Sequence, residues 1–175
     1  MTSYAYLGPA GTFTEAALHQ ITSGSDTLVP YSNVTAALDA VRNGSAEKVL
    51  VPIENSVEGV VSRTLDELAL GSPLVVVAET TLPVSFSLMV LPGFAGKEIT
   101  KIATHPHAES QCRSYVAKNY PHAEIIEMSS TAAAAKGLLN GNYDAAIASE
   151  IAAKNYDLKI LDSNIGDNNG AVTRF

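Results

Sequence analysis

Apolar and polar positions follow two rhythms along this chain. Ser3 to Leu7 is a short, largely apolar run punctuated by Gly8 to Gly11, and it predicts a strand. Phe13, Ala16, Ala17 and Ile21 then recur at helical spacing and predict a helix over 13–21. Thr12 followed by Glu15 has the spacing of a capping box, in which hydroxyl and carboxylate satisfy amides that the first turn leaves unpaired. The succession continues with a strand over Thr27 to Val29, a helix over Val34 to Arg42 closed by Asn43 and Gly44, a strand over Lys48 to Ile53, and a helix over Val60 to Leu70 closed by Gly71. Strands alternating with helices imply a parallel or mixed sheet covered on both faces.

From Leu74 to Leu91 the rhythm changes to two β-branched, apolar runs broken at Pro83, which predicts strands crossing from one lobe to another. The first plan then repeats. Strands are expected over Ile99 to Ala103, Glu124 to Met128, Asp144 to Ala148 and Leu158 to Leu161. Helices are expected over Ala108 to Lys118, with Pro106 near the first turn, and over Thr131 to Leu139 and Glu150 to Asn155. The repeat shows in the residues too: Thr35, Ala36, Ala37, Asn43, Gly44 and Glu54 correspond to Thr131, Ala132, Ala133, Asn140, Gly141 and Glu150 if one single-residue slip is allowed. The expected fold class is therefore α/β, with two similar βα lobes resembling a type II periplasmic-binding-protein fold and an active site in the cleft between them. Lobe 1 is expected over about 1–80 plus about 163–175, and lobe 2 over about 81–162.

Composition narrows the partners. With 11 Lys plus Arg against 18 Asp plus Glu, the net charge of -7 leaves no basic face for phosphate neutralisation, so a nucleic-acid partner is not expected and a small molecule is. Met1 to Leu7 has neither the basic flank nor the apolar length of a signal peptide, and no window suits a membrane span, so the reading is a cytoplasmic protein without a membrane partner. The single cysteine, Cys112, has no disulfide or metal-ligand companion and reads as a small packed side chain.

Strand-to-helix junctions at Gly8 to Thr12, Glu54 to Ser56, Thr104 to Gln111 and Ser129 to Thr131 carry hydroxyls, amides or glycines suited to an anion; the plainer reading of each is ordinary capping. His105 and His107 flank Pro106 without a third ligand or an i,i+4 partner, so no metal is expected. Gly8 to Gly11 lacks dinucleotide-fingerprint spacing and no phosphate-binding Lys-Ser or Lys-Thr loop occurs, so no cofactor is expected.

Motifs carry the reading further. Tyr6-Leu7-Gly8-Pro9-Ala10-Gly11-Thr12-Phe13-Thr14 resembles the opening signature of prephenate dehydratases, and Val51-Pro52-Ile53-Glu54-Asn55-Ser56, with Gly59 after it, resembles their second. Thr104-His105-Pro106 with Gln111-Cys112, then Ser130-Thr131-Ala132-Ala133, then Thr173-Arg174-Phe175 resemble the rest, in order and across the whole chain. The resemblance implies a catalytic domain over 1–175 and a carbon–oxygen lyase that dehydrates and decarboxylates prephenate to phenylpyruvate on the route to phenylalanine, without cofactor.

It further implies that Thr173 donates to the departing ring hydroxyl and that Arg174 holds a carboxylate. Glu54 either orients its neighbours or helps protonate the leaving group. Substrate-binding candidates are Thr12, Asn55, Ser56, Gln111, Ser130 and Thr131, of which Asn55, Gln111 and Ser130 can donate neutral hydrogen bonds. Ala171 and Phe86 stand where the family has asparagine and histidine, so neither role carries over. Family chains continue into a regulatory domain that binds phenylalanine, so no such effector site is expected here; a homodimer is compatible with the reading. The rival readings are an arogenate dehydratase, acting on the amino form, and a non-catalytic small-anion-binding module of solute-receptor type.

Overall fold

The structure, a computed structural model, describes residues 1–175 and divides into two compact units: Met1–Pro83 with Ala171–Phe175, and Val84–Gly170. The first begins with β1 (Ser3–Leu7), α1 (Phe13–Leu18), β2 (Thr27–Tyr31), α2 (Val34–Arg42) and β3 (Lys48–Leu50). The three strands form a parallel sheet in the order β2-β1-β3. Tyr4, Tyr6, Ala17, Leu18, Leu50 and Phe175 form one buried cluster of this unit, and Val34, Ala37, Leu38 and Val51 another.

At the start of α1 the Thr12 hydroxyl accepts from the Glu15 amide, as the capping-box spacing predicts, but the Glu15 carboxylate reaches one residue further back, to the Gly11 amide at 2.6 Å. Gly11 sits at φ +89°, a turn conformation that L side chains resist. The helix is shorter than the apolar spacing predicts, because after Leu18 the amides of Gln20 and Ile21 turn to carbonyls three residues back and tighten the coil out of the α form.

Then follow β4 (Glu54–Asn55), β5 (Gly59–Val60), α3 (Ser62–Leu70) and β6 (Thr81–Pro83). Of the expected long strand after Leu74, Thr81–Pro83 forms β6 and Thr80 before it pairs with Phe175; Leu74 to Glu79 runs outside any sheet. Between α2 and α3, Glu67 accepts from Arg42 and from the Thr35 hydroxyl and pairs with Arg63, which ties the two helices together.

The second unit contains β7 (Ser87–Val90), β8 (Lys101–Thr104), α4 (Pro106–Gln111), α5 (Arg113–Asn119), β9 (Glu124–Glu127), α6 (Thr131–Gly137), β10 (Ala145–Ala148), α7 (Glu150–Asn155) and β11 (Lys159–Asp162). Its sheet runs β11-β7-β10-β8-β9, with β7 antiparallel to both β10 and β11. Fully buried alanines on β8, α6, β10 and α7 let helices and sheet approach closely around Met89 and Leu138.

Where one helix is expected over Ala108 to Lys118, the structure has two, broken at Cys112. Asp167 causes the break: its amide donates to the Gln111 carbonyl and its carboxylate accepts from the Ser114 amide, so a residue from a distant loop ends α4 and caps α5.

Both units place a first strand between a second and a third, β2-β1-β3 in one and β9-β8-β10 in the other. Capping fixes the register of the repeat. The Asn33 side chain accepts from the Ala36 amide before α2, and the Ser130 hydroxyl accepts from the Ala133 amide before α6. Downstream, Gly44 and Gly141 both have positive φ. Aligned on the caps, Ala37 meets Ala134, both fully buried, and Asn43 meets Asn140 without any slip. The slip needed in the sequence arises from matching Thr35 to Thr131, one position out.

Asp144 pins the starts of β8 and β10 by accepting from the Thr100 amide and hydroxyl and from the Lys101 amide. Partial burial pushes its carboxyl up, but the bonds from Thr100 and Lys101 outweigh this and hold it below the usual carboxylate range. A depressed folded pKa means stability that is present above the unfolded value, near 3.9, and lost as pH falls through the folded one. Asp144→Asn is therefore expected to lower the urea midpoint at pH 7 and to make a smaller difference at pH 3; an equal loss at both would refute the linkage.

Candidate active site

The chain returns to the first unit as β12 (Val172–Arg174), which completes an antiparallel sheet in the order β5-β4-β12-β6. Across this sheet Thr173 stands opposite Asn55 and Arg174 opposite Glu54. Successive side chains of a strand point to opposite faces. Thr173 and Asn55 therefore share one face, and Arg174 and Glu54 share the other.

On the first face, the Asn55 Nδ2 donates to the Thr173 Oγ1 at 2.8 Å. The Asn55 Oδ1 accepts from the amides of Val57 and Glu58, at 2.8 and 3.0 Å, which fixes which end of the carboxamide faces the threonine. Since the Thr173 oxygen receives a hydrogen, its own hydrogen is left to donate elsewhere. Thr173 as a residue is 8% exposed. Phe175, on the same side of the strand as Thr173, is buried among Tyr4, Tyr6, Leu18 and Leu50 and anchors β12. The turn after Asn55 needs Gly59, at φ +84°.

On the second face, the Arg174 Nε donates to the Glu79 carboxylate at 2.9 Å, and its terminal NH2 pairs with the same oxygen. Glu79, and then Glu54, push the guanidinium pKa up further. Arg174 thus has a carboxylate supplied by the chain itself and faces away from Thr173. Glu54 is exposed and lies on this same face.

The other candidates divide between the units. In the first, the Thr12 hydroxyl both accepts from the Glu15 amide and donates to the Leu7 carbonyl, so it serves the turn into α1. The Ser56 hydroxyl accepts from the Val172 amide, stitching β12 to the β4–β5 turn and keeping its hydrogen for another acceptor. In the second unit, Ser130 caps α6 through its oxygen and Thr131 is the first residue of that helix. Gln111 ends α4. His105 is a helix cap as well, its Nδ1 accepting from the His107 amide. Burial pushes the Cys112 thiol up to about 12, with Asp167 and Glu109 adding to the effect, which disfavours the thiolate.

Two features escape sequence reasoning. Glu79, the partner of Arg174, lies in a stretch that reads as plain β-branched strand. The pairing of Asn55 with Thr173 spans 118 positions, and no local pattern announces it.

An α/β protein of two βα units, carrying a small antiparallel sheet with an amide-oriented hydroxyl, is the class that fold and site define. The prephenate dehydratase family model matches residues 4–175. A curated prephenate dehydratase from Amycolatopsis methanolica is 45% identical over 175 residues, covering all of this chain and 57% of that protein. The crystal structure of an Arthrobacter aurescens prephenate dehydratase in complex with L-Phe superposes with a TM-score of 0.90 at 46% identity, covering 98% of this chain and 57% of that one. A solved structure described as a novel type of quorum-quenching acylase superposes at 0.83 and 29% identity, covering 99% of this chain and 62% of that one. The chain belongs to the prephenate dehydratase family. It spans little more than half the length of the relatives named here. No helix is long and apolar enough to cross a membrane.

Proposed function

We propose that this chain is the catalytic portion of a prephenate dehydratase, acting in the cytoplasm on the free small molecule. The observation that carries this reading is the Thr173 hydroxyl, oriented by Asn55 so that its hydrogen is free to donate. In the reaction the bond from the ring to its carboxylate breaks and releases carbon dioxide, and its electron pair enters the ring. The ring hydroxyl leaves from the opposite carbon and, with one proton from solvent, becomes water. Aromatisation drives the step, so the protein need only orient the substrate and stabilise the departing hydroxyl.

Thr173 serves that stabilisation. A threonine is too weak an acid to give up its proton outright, so it acts as a hydrogen-bond donor, and the Asn55 N–H offsets the negative charge that grows on its oxygen. Ser56, Ser130, Thr131, Gln111 and Thr12 remain the substrate-binding candidates of this proposal; Ser56 and Ser130 keep hydroxyl hydrogens after making their backbone bonds. Arg174 and Glu54 are assigned to holding β12 and the Glu79 segment, on the evidence of the face they share. The fold alone does not choose the chemistry, as the acylase relative shows, so the site residues must.

The test is turnover: purified chain given prephenate is expected to form phenylpyruvate, followed by its absorbance in alkali. Arogenate is assayed in parallel and is expected to give markedly lower kcat/KM. Absence of phenylpyruvate from a folded sample, or preference for arogenate, overturns the assignment.

A further inference from the structure

The joint between α4 and α5 is held by a residue outside both helices. In an uninterrupted helix the Gln111 carbonyl would accept the Tyr115 amide, and the Ser114 amide would donate to the Ser110 carbonyl. At this joint Asp167 takes both places: its amide donates to the Gln111 carbonyl at 2.6 Å, and its Oδ2 accepts from the Ser114 amide at 3.1 Å. Between the two bonds, Cys112 sits at φ -122° and ψ 14°, away from helical values, with its side chain fully buried. The direction of α4, whose last residue is Gln111, is therefore not dictated by α5.

Asp167 is itself held. Ile165 is buried and its amide donates to the Phe86 carbonyl at 3.0 Å, while the Ser85 hydroxyl donates to the Asn164 Oδ1 at 2.7 Å. Gly166 lies near the Gln111 carbonyl, since a Cβ placed there would stand 3.7 Å from that oxygen and 3.7 Å from the Phe86 ring. Segment 164–167 is thus fastened to the residues that lead into β7 and meets the end of α4. The Asp167 charge also adds to the rise of the Cys112 thiol, as expected of a carboxylate beside the joint.

We propose that Asp167 is a positioning residue for substrate binding, acting through the direction it gives to α4 and so through the placement of Gln111. The proposal rests on the reading of Gln111 as a substrate-binding residue of a prephenate dehydratase. The reach of a side chain at a helix end is set by the backbone that carries it, and a displacement of about 1 Å is enough to weaken a contact with substrate. Asp167 supplies an acceptor more than a charge, because its partner at Ser114 is a neutral amide. Asparagine can therefore stand in for it and alanine cannot.

The experiment measures kcat and KM for prephenate in the parent, Asp167→Ala, Asp167→Asn, Gln111→Ala and the double variant Asp167→Ala/Gln111→Ala. Urea midpoints check folding, and the amide chemical shifts of residues 111–115 follow the joint. Asp167 is exposed, so its truncation leaves no cavity and the variants are expected to fold. Asp167→Ala is expected to shift the joint resonances and to raise KM by about tenfold with kcat within about threefold, the weakened contact being one already made in the ground state. Asp167→Asn, which keeps an oxygen for the Ser114 amide, should stay within about threefold of the parent in both constants. If Asp167 acts through Gln111, the double variant should match Gln111→Ala within about threefold. A merely structural loss would instead reduce the active fraction, lowering kcat and leaving KM alone. A parental KM in Asp167→Ala, an Asp167→Asn as impaired as Asp167→Ala, or losses that multiply in the double variant would overturn the proposal while leaving Gln111 as a substrate-binding residue. A parental KM in Gln111→Ala would instead refute the reading beneath the proposal, and the proposal with it.

Discussion

Replacing Thr173 by alanine is expected to lower kcat on prephenate by about 100-fold, with KM changed by less than about threefold. The reasoning is geometric. The Thr173 oxygen already receives the Asn55 Nδ2, so its hydrogen is left to donate, and the stabilisation it offers grows only as the ring hydroxyl departs. A hundredfold loss corresponds to about 2.7 kcal/mol of barrier, within reach of a single well-placed hydrogen bond to a developing anion. Thr173→Ser keeps the hydroxyl and should retain most of the activity, which separates the chemistry from packing of the threonine methyl. Arg174→Ala serves as a contrast. Because its guanidinium is engaged by Glu79 on the opposite face of the sheet, KM is expected to rise by less than about threefold. A kcat for Thr173→Ala within threefold of the parent, in a folded protein, would remove the donor role.

Asn55→Asp is expected to cost a similar factor, about 100-fold in kcat, despite being nearly isosteric. The carboxylate still accepts from the Val57 and Glu58 amides, so the turn after β4 is kept. What changes is the other oxygen. It cannot donate to Thr173 and instead accepts the threonine hydrogen, turning the donor away from substrate and placing negative charge where charge must develop. Activity that returns as pH falls toward the range of carboxylate protonation would support this account. A variant with parental kcat at neutral pH would show that the amide plays no part.

What the sequence disclosed follows the range of the interactions involved. The parallel strands of the two larger sheets and the helix over Val34 to Arg42 were legible, because apolar runs and local caps such as Asn33 act within one element. The break between α4 and α5 was not, since Asp167 imposes it from more than fifty positions away. The two-residue strands β4 and β5 fall below the length at which a period can be seen; they exist because β12 pairs with β4. Motif resemblance singled out Asn55 and Thr173, but their contact depends on strand register. Arg174 shows the converse. A cation next to a catalytic candidate suggests an anion partner in the substrate, and only the alternation of side chains along β12 turns it to Glu79.

The central claim is that Asn55 acts through Thr173, and a double-mutant cycle tests it most directly. kcat/KM for prephenate would be measured for the parent, Asn55→Ala, which removes the amide without introducing a charge, Thr173→Ala and the two together. If the amide works only by orienting and supporting the hydroxyl, the double variant should match Thr173→Ala within about threefold, the second change having nothing left to remove. Losses that multiply would mean that the two residues act independently and would contradict the account.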